Sequence, residues 1–90
     1  MSIAINIHQS FQHLANARSV VEVKGGNVGE CLNDLIRQCP ELKRWLFDKK
    51  NRLFHYVEIY VNQESSYPEE LAMPVKDGDT LSMTLTLAGG

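Results

Sequence analysis

Apolar and polar residues alternate through residues 2–8. Ile3, Ile5 and Ile7 fall on one side, and Ala4, Asn6 and His8 on the other. A period of two is the mark of a strand with one buried face. Residues 9–18 are mostly polar, with Phe11 and Leu14 three apart, and read as a loop containing a helical turn. Residues 19–24 alternate again, with Val21 and Val23 inward, so the two strands form an antiparallel hairpin. Gly25-Gly26 interrupts the pattern. Asn27-Val28-Gly29-Glu30 then has the form of a capping box, in which Asn27 accepts from the Glu30 amide and Glu30 reaches back. Val28, Leu32, Leu35, Ile36 and Cys39 follow at helical spacing, one stripe to cover a sheet. Pro40 ends that helix. Residues 41–47 predict a short second helix with Leu42, Trp45 and Leu46 on one side, which places Trp45 beneath it.

Residues 48–52 are a polar, basic loop. Residues 56–62 are a third strand with Val57, Ile59 and Val61 inward, followed by a turn at residues 62–64. Residues 65–73 are irregular, with Tyr67 the candidate for a short strand. Pro74-Val75-Lys76-Asp77-Gly78-Asp79 is a strong turn signal. Residues 80–87 are the last strand, with Leu81, Met83, Leu85 and Leu87 inward, and Ala88-Gly89-Gly90 follows. This order predicts an α+β fold, a mixed sheet of four to five strands packed on one main helix. The first and last strands then lie parallel at the centre, the β-grasp arrangement. One domain spans residues 1–90, with residues 87–90 as a flexible Gly-Gly tail.

Composition narrows the function classes. The chain has 90 residues, 43% of them hydrophobic and 22% charged, which suits one ordinary globular domain. A net charge of -2 gives no electrostatic case for nucleic acid or acidic lipid. No apolar run approaches the ~20 residues of a membrane span, and residues 1–9 lack the pattern of a secretory signal, so a cytoplasmic protein is expected. Cys31 and Cys39 are eight residues apart, about 12 Å along a helix, too far for a bridge; both read as reduced packing residues. His8, His13 and His55 fit no zinc spacing, so no metal is expected. No nucleophile motif and no phosphate-binding loop occurs. Lys43, Arg44, Lys49, Lys50 and Arg52 form a basic stretch, either a solvated surface or a docking patch for an acidic partner.

The candidate chemistry lies in the tail. A Gly-Gly ending arises by chance in about one chain in 200, so its weight comes from its place directly after a core strand. Glycines allow another backbone to approach closely and can thread a narrow channel. Four residues, Leu87 to Gly90, reach at most about 14 Å. A carboxylate is a poor electrophile at neutral pH. Adenylation by ATP supplies a leaving group, and the acyl-adenylate can then accept sulfur to give a thiocarboxylate.

The C-terminal half resembles the sulfur-carrier branch of the ubiquitin-like proteins, which includes the small subunit of molybdopterin synthase, the thiamin sulfur carrier and carriers of cysteine or siderophore biosynthesis. The residues that carry the resemblance are Val57-Glu58-Ile59-Tyr60-Val61-Asn62, then Pro74-Val75-Lys76-Asp77-Gly78-Asp79-Thr80-Leu81, then Leu87-Ala88-Gly89-Gly90. Upstream, Val28-Gly29-Glu30-Cys31-Leu32 and Pro40-Glu41-Leu42 match the helix and its exit, so the likeness covers residues 20–90. Leu85-Thr86 stands where molybdopterin-type subunits often have Pro-Pro. Leu53-Phe54-His55-Tyr56 looks more like the cysteine-type carriers.

The resemblance implies a carrier rather than an enzyme, with no bound cofactor. ATP is used by a ubiquitin-activating-type adenylating partner. Gly90 is the implied site of the adenylate and then the thiocarboxylate, while Leu87, Ala88 and Gly89 thread the partner's site. Thr84 and Thr86, on the outward face of the last strand, are the implied partner-facing surface. A sulfur-accepting biosynthetic enzyme is the second implied partner, and in some relatives a metalloprotease trims a precursor to Gly-Gly. Two other functions fit the same residues: a protein modifier joined through Gly90 to lysines, and a non-covalent β-grasp binding module.

Overall fold

The computed structural model describes residues 2–67 and 70–85. Five strands form one sheet: β1 (Ile3–Asn6), β2 (Val20–Val23), β3 (Val57–Val61), β4 (Glu64–Ser65) and β5 (Thr80–Leu85). Their order in space is β2-β1-β5-β3-β4. β1 and β5 run parallel; every other pairing is antiparallel. The main helix, α1 (Val28–Gln38), packs on one face of the sheet, and a single-turn helix, α2 (Lys43–Leu46), follows. This is the α+β β-grasp fold that the alternation and the element order predict.

The core follows the periodicity. Ile3, Ile5 and Ile7, Val21 and Val23, Val57, Ile59 and Val61, and Leu81 and Met83 are all buried. Against them α1 sets Val28, Cys31, Leu32 and Leu35, each fully enclosed. Ile36, which the helical stripe includes, is only half-buried at its margin. Cys39 is buried just past α1, where its N–H closes the helix on the Leu35 carbonyl. The intervening residues of the strands face away from α1.

The start of α1 departs from the expected capping box in one bond. Asn27 Oδ1 accepts from the Glu30 N–H at 2.7 Å, as the pattern requires. The Glu30 carboxylate reaches one residue further back and accepts from the Gly26 N–H at 2.7 Å. The glycine pair makes this approach feasible: a Cβ on Gly25 would stand 2.7 Å from the Cys31 nitrogen and 2.8 Å from the Glu30 Cβ. Asn27→Ala removes the Asn27 cap and is expected to cost about 1 kcal/mol, read as a lower midpoint in urea denaturation with an unchanged slope.

Three local expectations are corrected. Residues 9–18 are more ordered than a loop: Gln9–Ala15 is a 3-10 helix. His8 Nδ1 accepts from the Ser10 N–H at 3.0 Å at its start, and Phe11 and Ala15 are buried beneath it. The helical pattern is masked because three-residue turns place only Phe11 and Leu14 in register. Trp45 does not pack beneath the second helix. Leu42 and Leu46 are fully buried, while Trp45 is 46% exposed. The segment is a 3-10 turn (Pro40–Leu42) running into the one turn of α2, and Trp45 sits at the rim of so short a helix. Tyr67 contributes no strand and is 74% exposed. Asn62, at φ 57°, turns the chain back at once, so Glu64 pairs with Val61 and Ser65 with Tyr60.

Candidate functional site

The expected site begins where the described part of β5 ends, at Leu85. Thr86, Leu87, Ala88, Gly89 and Gly90 lie outside the described residues. The structure therefore defines the platform that carries the tail. β5 is the central strand, bonded on one side to β1 from Ala4↔Thr80 to Asn6↔Ser82. On the other side β3 pairs along its whole length, ending at Val57↔Leu85. The β1–β5 pairing ends at Ser82, while the Ile7 N–H continues the hairpin by bonding to the Ser19 carbonyl at 2.8 Å.

The start of β5 is fixed by the Lys76-Asp77-Gly78-Asp79 turn. The Asp79 carboxylate accepts from the Lys76 N–H at 3.0 Å and from the Asn62 side-chain amide at 3.3 Å. These two donors hold its carboxyl below the usual carboxylate range. Asn62 Oδ1 in turn accepts from the Thr80 N–H at 3.1 Å. Gly78, at φ 91°, lets the turn close, and its N–H donates to the Ser2 carbonyl. Ser2 answers with an N–H to Asp77 Oδ1 at 2.6 Å. The turn thus fastens together the starts of β1 and β5 and the exit of β3.

Thr84 takes its expected place on the face away from α1. It is half-buried, and its Oγ1 donates to the Glu58 carbonyl on β3 at 3.2 Å. Its neighbours there are polar: Asn6 Nδ2 donates to Ser82 Oγ at 3.3 Å, and Ser65 Oγ to Glu58 Oε2 at 2.8 Å. Thr86 continues beyond the described residues.

An aromatic rim surrounds this end of the sheet, and no single sequence motif announces it. His8 follows β1, which is parallel to β5; Tyr56 precedes Val57, the partner of Leu85. Both therefore lie at the end where β5 stops. Rings pass from His8 to Phe11 (centroids 6.4 Å apart) and from Phe11 to Trp45 (6.4 Å). Tyr56 Oη donates to the Trp45 carbonyl at 3.0 Å, and Phe54 stacks on Tyr56 at 5.1 Å. The only local signals were Trp45 in a basic stretch and the run Leu53-Phe54-His55-Tyr56.

Cys31 and Cys39 are free and buried. Burial pushes the Cys31 thiol up to about 11, helped by the charges of Glu30 and Asp34, so it carries no thiolate at neutral pH. Cys39 Sγ instead receives the Arg18 guanidinium at 3.2 Å, a packing contact between the 3-10 segment and the end of α1. Among the described residues, no group of three or more His, Cys, Asp or Glu could hold a metal ion, and no helix is long and apolar enough to cross a membrane.

No protein-family model and no curated protein matches the chain. Solved structures do. A chain of the Amycolatopsis orientalis BexX/CysO complex is 29% identical, with 98% of this chain and 99% of that chain covered and a TM-score of 0.87. CysO of Mycobacterium tuberculosis is 23% identical over 94% and 99% of the two chains, with a TM-score of 0.86. SAMP1 of Haloferax volcanii is 22% identical over the full length of both, with a TM-score of 0.85.

Proposed function

We propose that this chain, whose fold is shared by the CysO proteins it matches, is a ubiquitin-like sulfur carrier and carries sulfur on the carboxylate of Gly90. The observation that carries the reading is the full-length match at 29% identity to a chain of the BexX/CysO complex. It is joined to a tail, Leu87-Ala88-Gly89-Gly90, that follows the central strand directly. The match concerns a small protein found in a complex, in keeping with a carrier that partners another protein and supplies no catalytic group of its own.

In the proposed cycle a ubiquitin-activating-type enzyme binds the domain and draws residues 87–90 into its site. The Gly90 carboxylate attacks the α-phosphate of ATP, and pyrophosphate leaves. A sulfide then adds to the acyl carbon and AMP leaves, so the C–O bond to phosphate is replaced by a C–S bond. The thiocarboxylate is a soft nucleophile and passes its sulfur to a second, biosynthetic enzyme. This chain's residues recognise and position. β5, anchored by the Asp79 turn and by β1 and β3, gives the tail a fixed origin, and the two glycines allow close approach of the partner's backbone.

A second reading, attachment of Gly90 to lysines as a protein modifier, would use the same tail and a fold shared with the small archaeal modifier protein 1 of Methanosarcina acetivorans. One experiment separates the two. The chain, ending at Gly90, is incubated with the adenylating enzyme of its own genome, ATP and sulfide, and its intact mass is measured. Carriage predicts a species in which one oxygen is replaced by sulfur and which iodoacetamide alkylates at that sulfur. A ladder of lysine-linked conjugates with no such species would replace this reading with the modifier.

A further inference from the structure

Charge is divided unevenly along the chain. Of nine Lys and Arg residues, five fall within residues 41–52, which hold only two of the eleven acidic residues. This short stretch is formally +3, while the other residues together are −5. The fold then keeps the positive side chains available. Asp48 is committed to its own loop: it accepts from the Lys50 and Arg52 N–H groups at 2.8 and 3.0 Å and pairs with the Arg52 guanidinium at 3.4 Å. The Arg52 and Lys50 donors hold its carboxyl below the usual range. The loop is closed by the Phe47↔Leu53 bridge and by Asp48 N–H on the Arg52 carbonyl. Lys43, Arg44, Lys49 and Lys50 are all exposed, and among the described residues none has a carboxylate at ion-pair distance.

This patch is fixed beside the end of β5 at Leu85. The Phe54 N–H bonds to the Leu46 carbonyl, and Tyr56 Oη to the Trp45 carbonyl, which joins the basic segment to the residues leading into Val57, opposite Leu85. Trp45 stands between Arg44 and the loop with nearly half its surface in solvent. Its backbone is tied and its ring lies against the buried Phe11. A held, exposed tryptophan in a segment whose exposed cations are unpaired among the described residues has the anatomy of an interface anchor with an electrostatic rim.

We propose that residues 41–52, centred on Trp45, dock on an acidic surface of the adenylating enzyme and so deliver the adjacent tail to it. The assignment rests on the sulfur-carrier reading. Five residues separate Leu85 from the terminal carboxylate, a reach of at most about 18 Å, so the contact and the reacting atom fall within one partner's footprint. The positive charge steers encounter with an acidic surface.

The test is ATP–pyrophosphate exchange by the adenylating enzyme of the same genome, with the carrier as varied substrate at several salt concentrations. The quadruple variant Lys43→Glu, Arg44→Glu, Lys49→Glu, Lys50→Glu is expected to raise KM about tenfold or more at low salt, with kcat retained and the salt dependence flattened or reversed. Trp45→Ala is expected to raise KM about tenfold at every salt concentration. The pair Lys24→Glu and Arg37→Glu, exposed together at the opposite end of the sheet, is expected to leave KM unchanged. Circular dichroism and thermal midpoints check that each variant is folded. A wild-type KM in the quadruple variant, or an equal loss in the control pair, overturns the assignment while the carrier reading stands. Absence of exchange with the wild type overturns the carrier reading and this assignment with it. Salt-sensitive binding of a single-stranded oligonucleotide, lost in the quadruple variant, would hand the patch to nucleic acid instead.

Discussion

Deletion of Gly90 abolishes acyl-adenylate formation and leaves the domain as stable as before. The shortened tail places its carboxylate about 3.5 Å short of the reacting position. A displacement of only 1 Å at a reacting centre can cost about 100-fold. A loss of at least that size is therefore expected in pyrophosphate exchange, with no thiocarboxylate species in the mass spectrum. Stability is expected to change by less than about 0.5 kcal/mol, because the buried residues of the described core extend no further along the chain than Met83. Retained exchange in the shortened chain would show that the carboxylate of Gly90 is not the acceptor. A non-covalent binding module predicts the same indifference, so this deletion also separates that function from carriage.

Leu32→Ala produces the largest loss of stability. Leu32 lies in the middle of α1 and is completely enclosed, facing a sheet whose inward residues are almost all β-branched or Leu. β-branched neighbours have few rotamers with which to fill a void. Truncation of a buried leucine costs about 2–5 kcal/mol, the upper part of the range where the surroundings cannot collapse. A domain of this size holds roughly 5–13 kcal/mol in all, so the thermal midpoint is expected to fall by about 15 °C. A shift under about 4 °C would mean that α1 does not bear on the sheet as described.

The two experiments act on different levels of the molecule, and those levels were unequally legible in the sequence. Alternation at Ile3, Ile5 and Ile7, at Val21 and Val23, and at Val57, Ile59 and Val61 identified each strand's buried face, because period two and burial are the same fact for a one-faced sheet. The stripe from Val28 to Leu35 did the same for α1. Short elements were less readable. A seven-residue 3-10 helix offers too few in-register positions, and one turn of α-helix does not fix which side Trp45 takes. The capping box was legible in kind but not in its second partner, since only the fold brings the Gly26 N–H to the Glu30 carboxylate. At the site, Thr84 was legible as an outward position, while Gly89 and Gly90 lie outside the described residues. The aromatic rim was not legible. Its members come from residues 8, 11, 45, 54 and 56, and only the parallel pairing of β1 with β5 gathers them at one end.

That same pairing has a bearing on how the chain comes into being. β5 is the last of the described strands in chain order and the one to which both β1 and β3 bond. Until residues 80–85 appear, the hairpin of β1 and β2 and the pair of β3 and β4 have no common neighbour, and their inner faces stay unsealed. The decisive contacts are the most distant ones in the sequence, such as Ala4 with Thr80, and contacts of that kind form late and slowly. A chain interrupted before residue 80 cannot close its sheet and stays open to proteolysis. A partner that recognises the folded surface therefore selects, without inspecting the tail, for chains synthesised at least as far as the strand that bears it.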